Sequence, residues 1–262
     1  MPELPEVEAV CRKLRESAEG RRILACTVHR CAKPSVARRV TGRQIVSVER
    51  LGKNILARLD GGETLHVHLR MTGNLYVEKR TPPPGEARVW MTLSGGRVLV
   101  FEDTRALGVV EVLRPPEMEK LRRAIGPEPL SEDFTVERLL AATRGSRQPA
   151  KLFLLDQRRV AGIGNIYAVE ALYKAGIHPA RLAGKLSAPR VRRLHAAIVS
   201  VLSDAVQSAC IAYSGPGRFV EAETFPLAVY GRDQQPCLRC RSRIRRIVQG
   251  GRSTYFCPGC QR

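Results

Sequence analysis

The chain has 262 residues, enough for two ordinary domains that each bury a core without disulfide staples. Its 44 Lys plus Arg against 25 Asp plus Glu leave a net charge of +19, an excess that favours a polyanionic partner. With no long apolar span and no lysine-rich amphipathic anchor in view, nucleic acid precedes a membrane surface, and a basic surface without a ligand is the plain alternative.

The chain opens MPELPEVEAV, where Arg12 and Lys13 follow Glu3, Glu6 and Glu8 and no apolar h-region comes after, so the stretch reads as folded protein rather than a signal peptide. Residues 3–18 are expected to form a helix. Pro5 lies in the first turn, where its missing N–H costs little, and the three glutamates sit near the positive end of the dipole. From Ile23 to about Leu113 the pattern is strand after strand: RQIVSVER, KNILARLD, ETLHVHLR, ARVWMTLS and RVLVFED, divided by Gly-containing turns. This half reads as a β-sandwich or barrel. In ETLHVHLR, Leu65, Val67 and Leu69 alternate with His66, His68 and Arg70, a polar face that could meet phosphate or simply water.

Pro115-Pro116 marks a boundary, after which the pattern turns helical in TVERLLAATR, around GIGNIYAVEALYKAG, and from Ser187 to about Ala209. Gly162 and Gly164 could offer backbone N–H groups to an anion, and Asn165 could cap the helix or reach a phosphate. No βαβ unit surrounds these glycines, so they are not a dinucleotide fingerprint.

Cys11, Cys26, Cys31 and Cys210 are scattered and read as small buried hydrophobes, whereas CLRC and CPGC pair Cys237 with Cys240 and Cys257 with Cys260. Two tight turns of two thiolates each supply four tetrahedral sulfur ligands, for which one structural Zn2+ ranks ahead of iron. Between them, RSRIRRIVQGGRSTYF reads as a hairpin turning at Gly250-Gly251. From Cys237 to Arg262 there are seven arginines and no acidic residue, so the metal-pinned tip is shaped for a nucleic-acid groove, with a protein-binding zinc ribbon as the alternative.

PELPEVE, the GK of LGKN, HLRMTG, LDQ with GIGNIYAVEALYKAGIHP, and the terminal GGRSTYFCPGC finger occur in one order from first residue to last. Together they resemble the formamidopyrimidine-DNA glycosylase and endonuclease VIII family of bacterial repair enzymes, and VYGR and PELPEVE look closer to the formamidopyrimidine branch. The resemblance implies an α+β chain: an N-terminal β-sandwich at residues 1–114, a helix-two-turn-helix domain at 115–228 and a zinc-finger hairpin at 229–262. It implies a bifunctional DNA glycosylase and abasic-site lyase, monomeric and cytoplasmic at the nucleoid, binding damaged double-stranded DNA in a basic cleft and no membrane.

Removal of Met1 would make Pro2 an N-terminal secondary amine, far less protonated at neutral pH than a lysine. The resemblance makes Pro2 the nucleophile, Glu3 the group that handles protons at the sugar, Glu6 an acid that holds the helix start and assists proton movement, and Lys53 a phosphate contact that assists catalysis. It makes His68, Asn165 and Arg252 phosphate-gripping residues, leaves His66 structural, and sets Lys151 near the lesion's phosphate and base. By the same resemblance Met71 would fill the gap left by the extruded base, and Arg105 would read the orphaned partner base.

Two departures bear on specificity. Where the branch continues Arg-Arg-Phe-Gly, this chain has Arg105-Ala106-Leu107-Gly108, and Leu107 wedges without stacking as a ring does. The loop around Gly217, Arg218 and Phe219 also differs from the one that covers 8-oxoguanine, so oxidised purine, oxidised pyrimidine and hydantoin all stay open as lesions. A non-catalytic binder of damaged DNA and a zinc-ribbon RNA-binding protein are the readings from another class, and neither needs Pro2, Glu3 and Lys53.

Overall fold

The first turn of helix α1 (Leu4–Ser17) is closed by a reciprocal capping box. The Glu3 backbone N–H donates to Glu6 Oε2 at 2.7 Å, and the Glu3 side chain accepts from the Glu6 backbone. Glu3 is thus the cap and not a helical residue. This computed structural model describes residues 1–80, 85, 87–213 and 225–262. The chain divides into two units, one taking in Met1–Ala124 and the last turn of the longest helix from Ala209, the other Ile125–Ser208 and residues 225–262.

The first unit holds two four-stranded antiparallel sheets. One is ordered β1 (Ile23–Val28), β6 (Ala87–Leu93), β7 (Arg97–Asp103), β5 (Gly73–Glu78); the other β2 (Ile45–Leu51), β3 (Asn54–Leu59), β4 (Thr64–His68), β8 (Val109–Leu113). Val7, Val10 and Leu14 of α1 share one core with Ile55 and Val67 of one sheet and Met91 and Phe101 of the other, so of the sandwich and barrel that the strand pattern allowed, the structure has the sandwich. Among the described residues the strands are interrupted by one helix, α2 (Ser35–Val40). Along β6 burial alternates as a sheet with one open face requires, whereas β3 and most of β4 are buried on both faces. Pro115 and Pro116 do not end the unit but begin helix α3 (Pro115–Ala124), since proline suits a first helical turn.

The second unit contains α4 (Val136–Thr143), α5 (Ala150–Leu155), α6 (Asn165–Ala175), most of α7 (Ala188–Ala212) and the hairpin β9 (Arg245–Gln249) and β10 (Arg252–Phe256). Thr135 caps α4 by accepting the Arg138 N–H at 3.2 Å. Helix α6 is buried nearly all round, as a central helix must be. Its Glu170 accepts three successive backbone N–H groups, from Ala228, Val229 and Tyr230 at 3.0, 2.9 and 2.8 Å. Burial nevertheless pushes the Glu170 carboxyl above its ordinary range, against the pull of those donors.

Helix α7 overturns the expectation that no long apolar span exists, because by length and composition it could cross a membrane. Its buried Val191, Leu194, Ile198, Val201, Leu202, Ala205 and Val206 are spaced by helical turns along one face, the pattern of a helix that packs against a core.

Candidate active site and metal centre

Because α1 starts one residue after Glu3, the chain terminus, Pro2, Glu3 and Glu6 come together at the helix head. Pro2, Glu3 and Glu6 are all buried, and Lys53 is buried on the two-residue β2–β3 turn. Gly52 takes the left-handed φ of 58° that this tight turn requires. The α-amino group of Met1 is held below its ordinary range chiefly by burial, opposed by the Glu3 and Glu6 carboxylates and assisted by the Lys53 ammonium. The head of α1 is therefore a partly desolvated site where an amine stands in the field of two carboxylates and a lysine.

The two histidines of β4 part ways. His66 does not meet water: it is buried, with Nε2 2.8 Å from Asn54 Oδ1 and Nδ1 2.9 Å from Glu111 Oε1, both partners reaching it from the flanking strands. His68, half-buried at the strand end, accepts the Arg70 N–H on Nδ1 at 3.0 Å. Burial first, then the charges of Arg70, His66 and Lys53, push its pKa down to about 4. His68 is therefore neutral at physiological pH, and with Nδ1 accepting, its proton lies on Nε2 as a hydrogen-bond donor.

The turn after His68 presents Met71, 44% exposed, and the loop after β7 presents exposed Arg105 with Leu107, 48% exposed. Asp103, fully buried, joins the two loops. Its Oδ1 accepts the Thr72 hydroxyl and the Arg105 N–H, the latter at 3.2 Å, and its Oδ2 accepts the Gly108 N–H at 2.6 Å. Ala106 takes a left-handed φ of 52° within that brace. Gly108 has no room for a side chain, since a Cβ would stand 2.5 Å from Phe101. The sequence reading missed Asp103; its signal was an aspartate at a strand end immediately before a turn, where such a side chain caps loop amides.

In the second unit, Lys151 is fully buried, and its Nζ donates to Thr254 Oγ1 at 2.7 Å and to the Ser253 carbonyl at 3.3 Å. The Asn165 Nδ2 donates to the same Ser253 carbonyl at 3.1 Å, which brings α5, α6 and β10 to one point. Asn165 does not cap α6, because Gly164 occupies the cap position and Asn165 is the first helical residue. Its buried Oδ1 has no hydrogen-bond partner among the described residues. The Gly162 N–H is not offered to an anion either, being donated to Gln157 Oε1 at 2.9 Å. Arg252 is exposed at the start of β10, beside the Gly250-Gly251 turn with φ of 56° and 71°. The loop around Gly217, Arg218 and Phe219 lies outside the described residues.

The ligating atoms of Cys237, Cys240, Cys257 and Cys260 all lie within 4.8 Å of one another, with Cys237 and Cys260 sulfurs 3.9 Å apart and Cys240 and Cys257 sulfurs 3.3 Å apart. A zinc ion with four sulfurs at about 2.3 Å would set those edges at about 3.8 Å, so the donor set and its size fit one structural zinc. Gly259 permits the closeness, since a Cβ there would come within 3.0 Å of the Cys240 sulfur. The centre is docked on α6: Tyr173 Oη is 3.2 Å from the Cys237 sulfur, and Gln261 joins the Cys257 N–H to the Ile177 carbonyl at 2.8 and 2.9 Å.

Comparison with known proteins bears on all three regions. Residues 1–110 match the formamidopyrimidine-DNA glycosylase N-terminal domain, residues 125–214 the formamidopyrimidine-DNA glycosylase H2TH domain, and residues 234–262 a zinc finger found in FPG and IleRS. The chain is 43% identical to a formamidopyrimidine-DNA glycosylase of Geotalea uraniireducens, with all of both chains covered. It is 42% identical to one of Chloroflexus aggregans, covering 100% of this chain and 98% of the relative. Among solved structures, MutM (FPG) from Thermus thermophilus superposes with a TM-score of 0.87 at 38% identity, over 99% of this chain and 98% of that one. The Lactococcus lactis FPG bound to Fapy-dG containing DNA superposes with a TM-score of 0.89 at 31% identity, over 99% and 100%.

Proposed function

Since the chain belongs to the formamidopyrimidine-DNA glycosylase family, we propose that it is a DNA glycosylase of base excision repair whose N-terminal proline also makes it an abasic-site lyase. The observation that carries this reading is the buried head of α1, where the chain terminus stands in the field of Glu3, Glu6 and Lys53. Pure DNA binding needs none of that arrangement.

With Met1 removed, the Pro2 nitrogen attacks C1′ of the damaged nucleotide and the base leaves. Glu3 handles the protons at the sugar, and opening of the ring gives an iminium between Pro2 and C1′. A secondary amine has no N–H left to lose from that iminium, so the cation persists as an electron sink. Loss of a C2′ proton expels the 3′ phosphate, loss of a C4′ proton then expels the 5′ phosphate, and water adding at C1′ hydrolyses the iminium and releases Pro2. Glu6 holds the helix start through the Glu3 N–H and assists proton movement, while Lys53 contacts phosphate beside the lesion.

His68 Nε2–H, Arg252 and the amide of Asn165 would grip the backbone, Met71 and Leu107 would wedge into the gap left by the extruded base, and Arg105 would read the orphaned partner base. Lys151 would act near the lesion from its place behind β10. The zinc centre holds the hairpin that presents Arg252 and takes part in no bond change. Substrates are oxidised bases and abasic sites in double-stranded DNA, met by a monomer acting in the cytoplasm on the nucleoid.

Borohydride trapping tests this on duplexes holding an abasic site, 8-oxoguanine, thymine glycol or a hydantoin, each opposite different bases. A trapped covalent complex is expected, and the duplexes that trap rank the lesions. No trapping on the abasic duplex, from protein whose mass lacks Met1, would favour a non-catalytic binder.

A further inference from the structure

We propose that Arg50 is a positioning residue, whose guanidinium sets Lys53 against the head of α1 by holding the Glu8 carboxylate and the Gly52 carbonyl at once. The inference rests on the reading of Pro2 and Lys53 given above. Arg50 Nε donates to Glu8 Oε2 at 3.0 Å, and one terminal nitrogen donates to the Gly52 carbonyl at 3.1 Å. Its side chain is 9% exposed and that of Glu8 14%, so this pair is shielded from water and from salt in a way that a surface pair is not.

Three arginines converge on Glu8, and they are not equivalent. Arg12, 53% exposed, and Arg15, 37% exposed, reach Glu8 Oε1 from its own helix at 3.1 and 3.2 Å. Arg15 also donates to the Val48 carbonyl at 2.9 Å and so fastens α1 to the body of β2. Arg50 instead carries its second bond to the Gly52 carbonyl, and Gly52 immediately precedes Lys53 in a two-residue turn. Losing Arg15 would loosen the helix on its strand. Losing Arg50 would free the turn that aims the lysine.

The fork is what the geometry uses. A guanidinium satisfies two acceptors in a fixed plane, whereas an ammonium is a point charge on a flexible stem, so Arg50→Lys keeps the charge and loses the bridge. Transmission is short: the turn is pinned by Arg50 on one side and by β3 pairing on the other, and catalytic geometry tolerates little displacement.

The experiment compares wild type, Arg50→Lys and Arg15→Lys, all with Met1 removal verified by mass. Two quantities are read: the single-turnover rate of cleavage of an abasic duplex with protein in excess, and affinity for a duplex holding a tetrahydrofuran site, which cannot form an iminium. Arg50→Lys is expected to slow cleavage about tenfold or more while affinity falls only a few-fold, the share of one Lys53 phosphate contact, whereas Arg15→Lys stays near the wild-type rate. Equal rates for Arg50→Lys and wild type, or an equal fall in Arg15→Lys, would overturn the proposal. Should Arg50→Lys not fold, Glu8→Gln, which weakens the bridge at its Glu8 end, is read by the same measurements and should slow cleavage more than it lowers affinity, and an unchanged cleavage rate would overturn the proposal. A wild type that neither cleaves nor traps would remove the enzyme reading itself, and this proposal with it.

Discussion

The Arg70 backbone N–H donates to Nδ1 of His68 at 3.0 Å, so the neutral ring of His68 carries its proton on Nε2. Arg70 reaches that position with a left-handed φ of 56°, and Gly73 closes the turn where a Cβ would stand 2.3 Å from the Leu69 carbonyl oxygen. A histidine in this state gives a phosphate a hydrogen bond and no charge.

His68→Gln should therefore weaken DNA binding without changing the slope of log affinity against log salt. Arg252→Gln should reduce that slope by about 0.9, one counterion's worth. Titration of affinity from low to moderate salt separates the two, and a fall in slope for His68→Gln would show that the ring is charged in the complex.

The same histidine predicts a pH dependence of stability. Its folded pKa, about 4, lies below the ordinary 6.5, so the unfolded chain binds more protons between those values. The stabilisation is complete above about pH 6.5 and is lost as pH falls through 4. His66 is also shifted down, mainly by burial, and adds in the same direction. Unfolding midpoints from pH 7 to 4 should fall less steeply in His68→Gln than in wild type.

Pro2→Gly replaces the secondary amine with a primary one at the same place. Affinity for a tetrahydrofuran duplex should stay near normal, and cleavage of abasic sites should drop on the order of 100-fold or more, because the imine of a primary amine can lose its N–H proton and cease to be an electron sink. Unchanged cleavage would take Pro2 out of the mechanism.

Lys151→Met removes the buried donor to the Thr254 hydroxyl, while the Ser253 carbonyl keeps the Asn165 amide. Such a loss costs about 1–3 kcal/mol and should show as a lower melting temperature as well as weaker DNA binding. A melting temperature equal to wild type would mean that Lys151 acts on the nucleic acid alone.

Cys257→Ser removes one of four sulfurs. Zinc content should fall from about one ion per chain towards none, and DNA affinity with it, because the β9–β10 hairpin cannot hold itself without the metal. Unaltered zinc and affinity would refute the assignment.

Local chemistry was enough to read much of this molecule from its residues. The CLRC and CPGC spacings specify four sulfurs on two turns, the Gly-Gly pair specifies the hairpin between them, and strand alternation specifies a sandwich or barrel, because each depends on neighbours a few positions apart. The grouping of Pro2, Glu3 and Glu6 was legible for the same reason, since one helical turn brings them together. Tertiary structure decided what lies across long separations. Asp103 braces Thr72 across 31 residues, Arg50 reaches Glu8 across 42, and Lys151 reaches Thr254 across 103. It also decided that His66 is buried while His68 is half-buried at the strand end, though both lie on one face of β4. Alternation assigns a side chain to a face, but what covers that face, and so what a buried charge or ring must bond to, depends on packing by distant segments that no local period encodes.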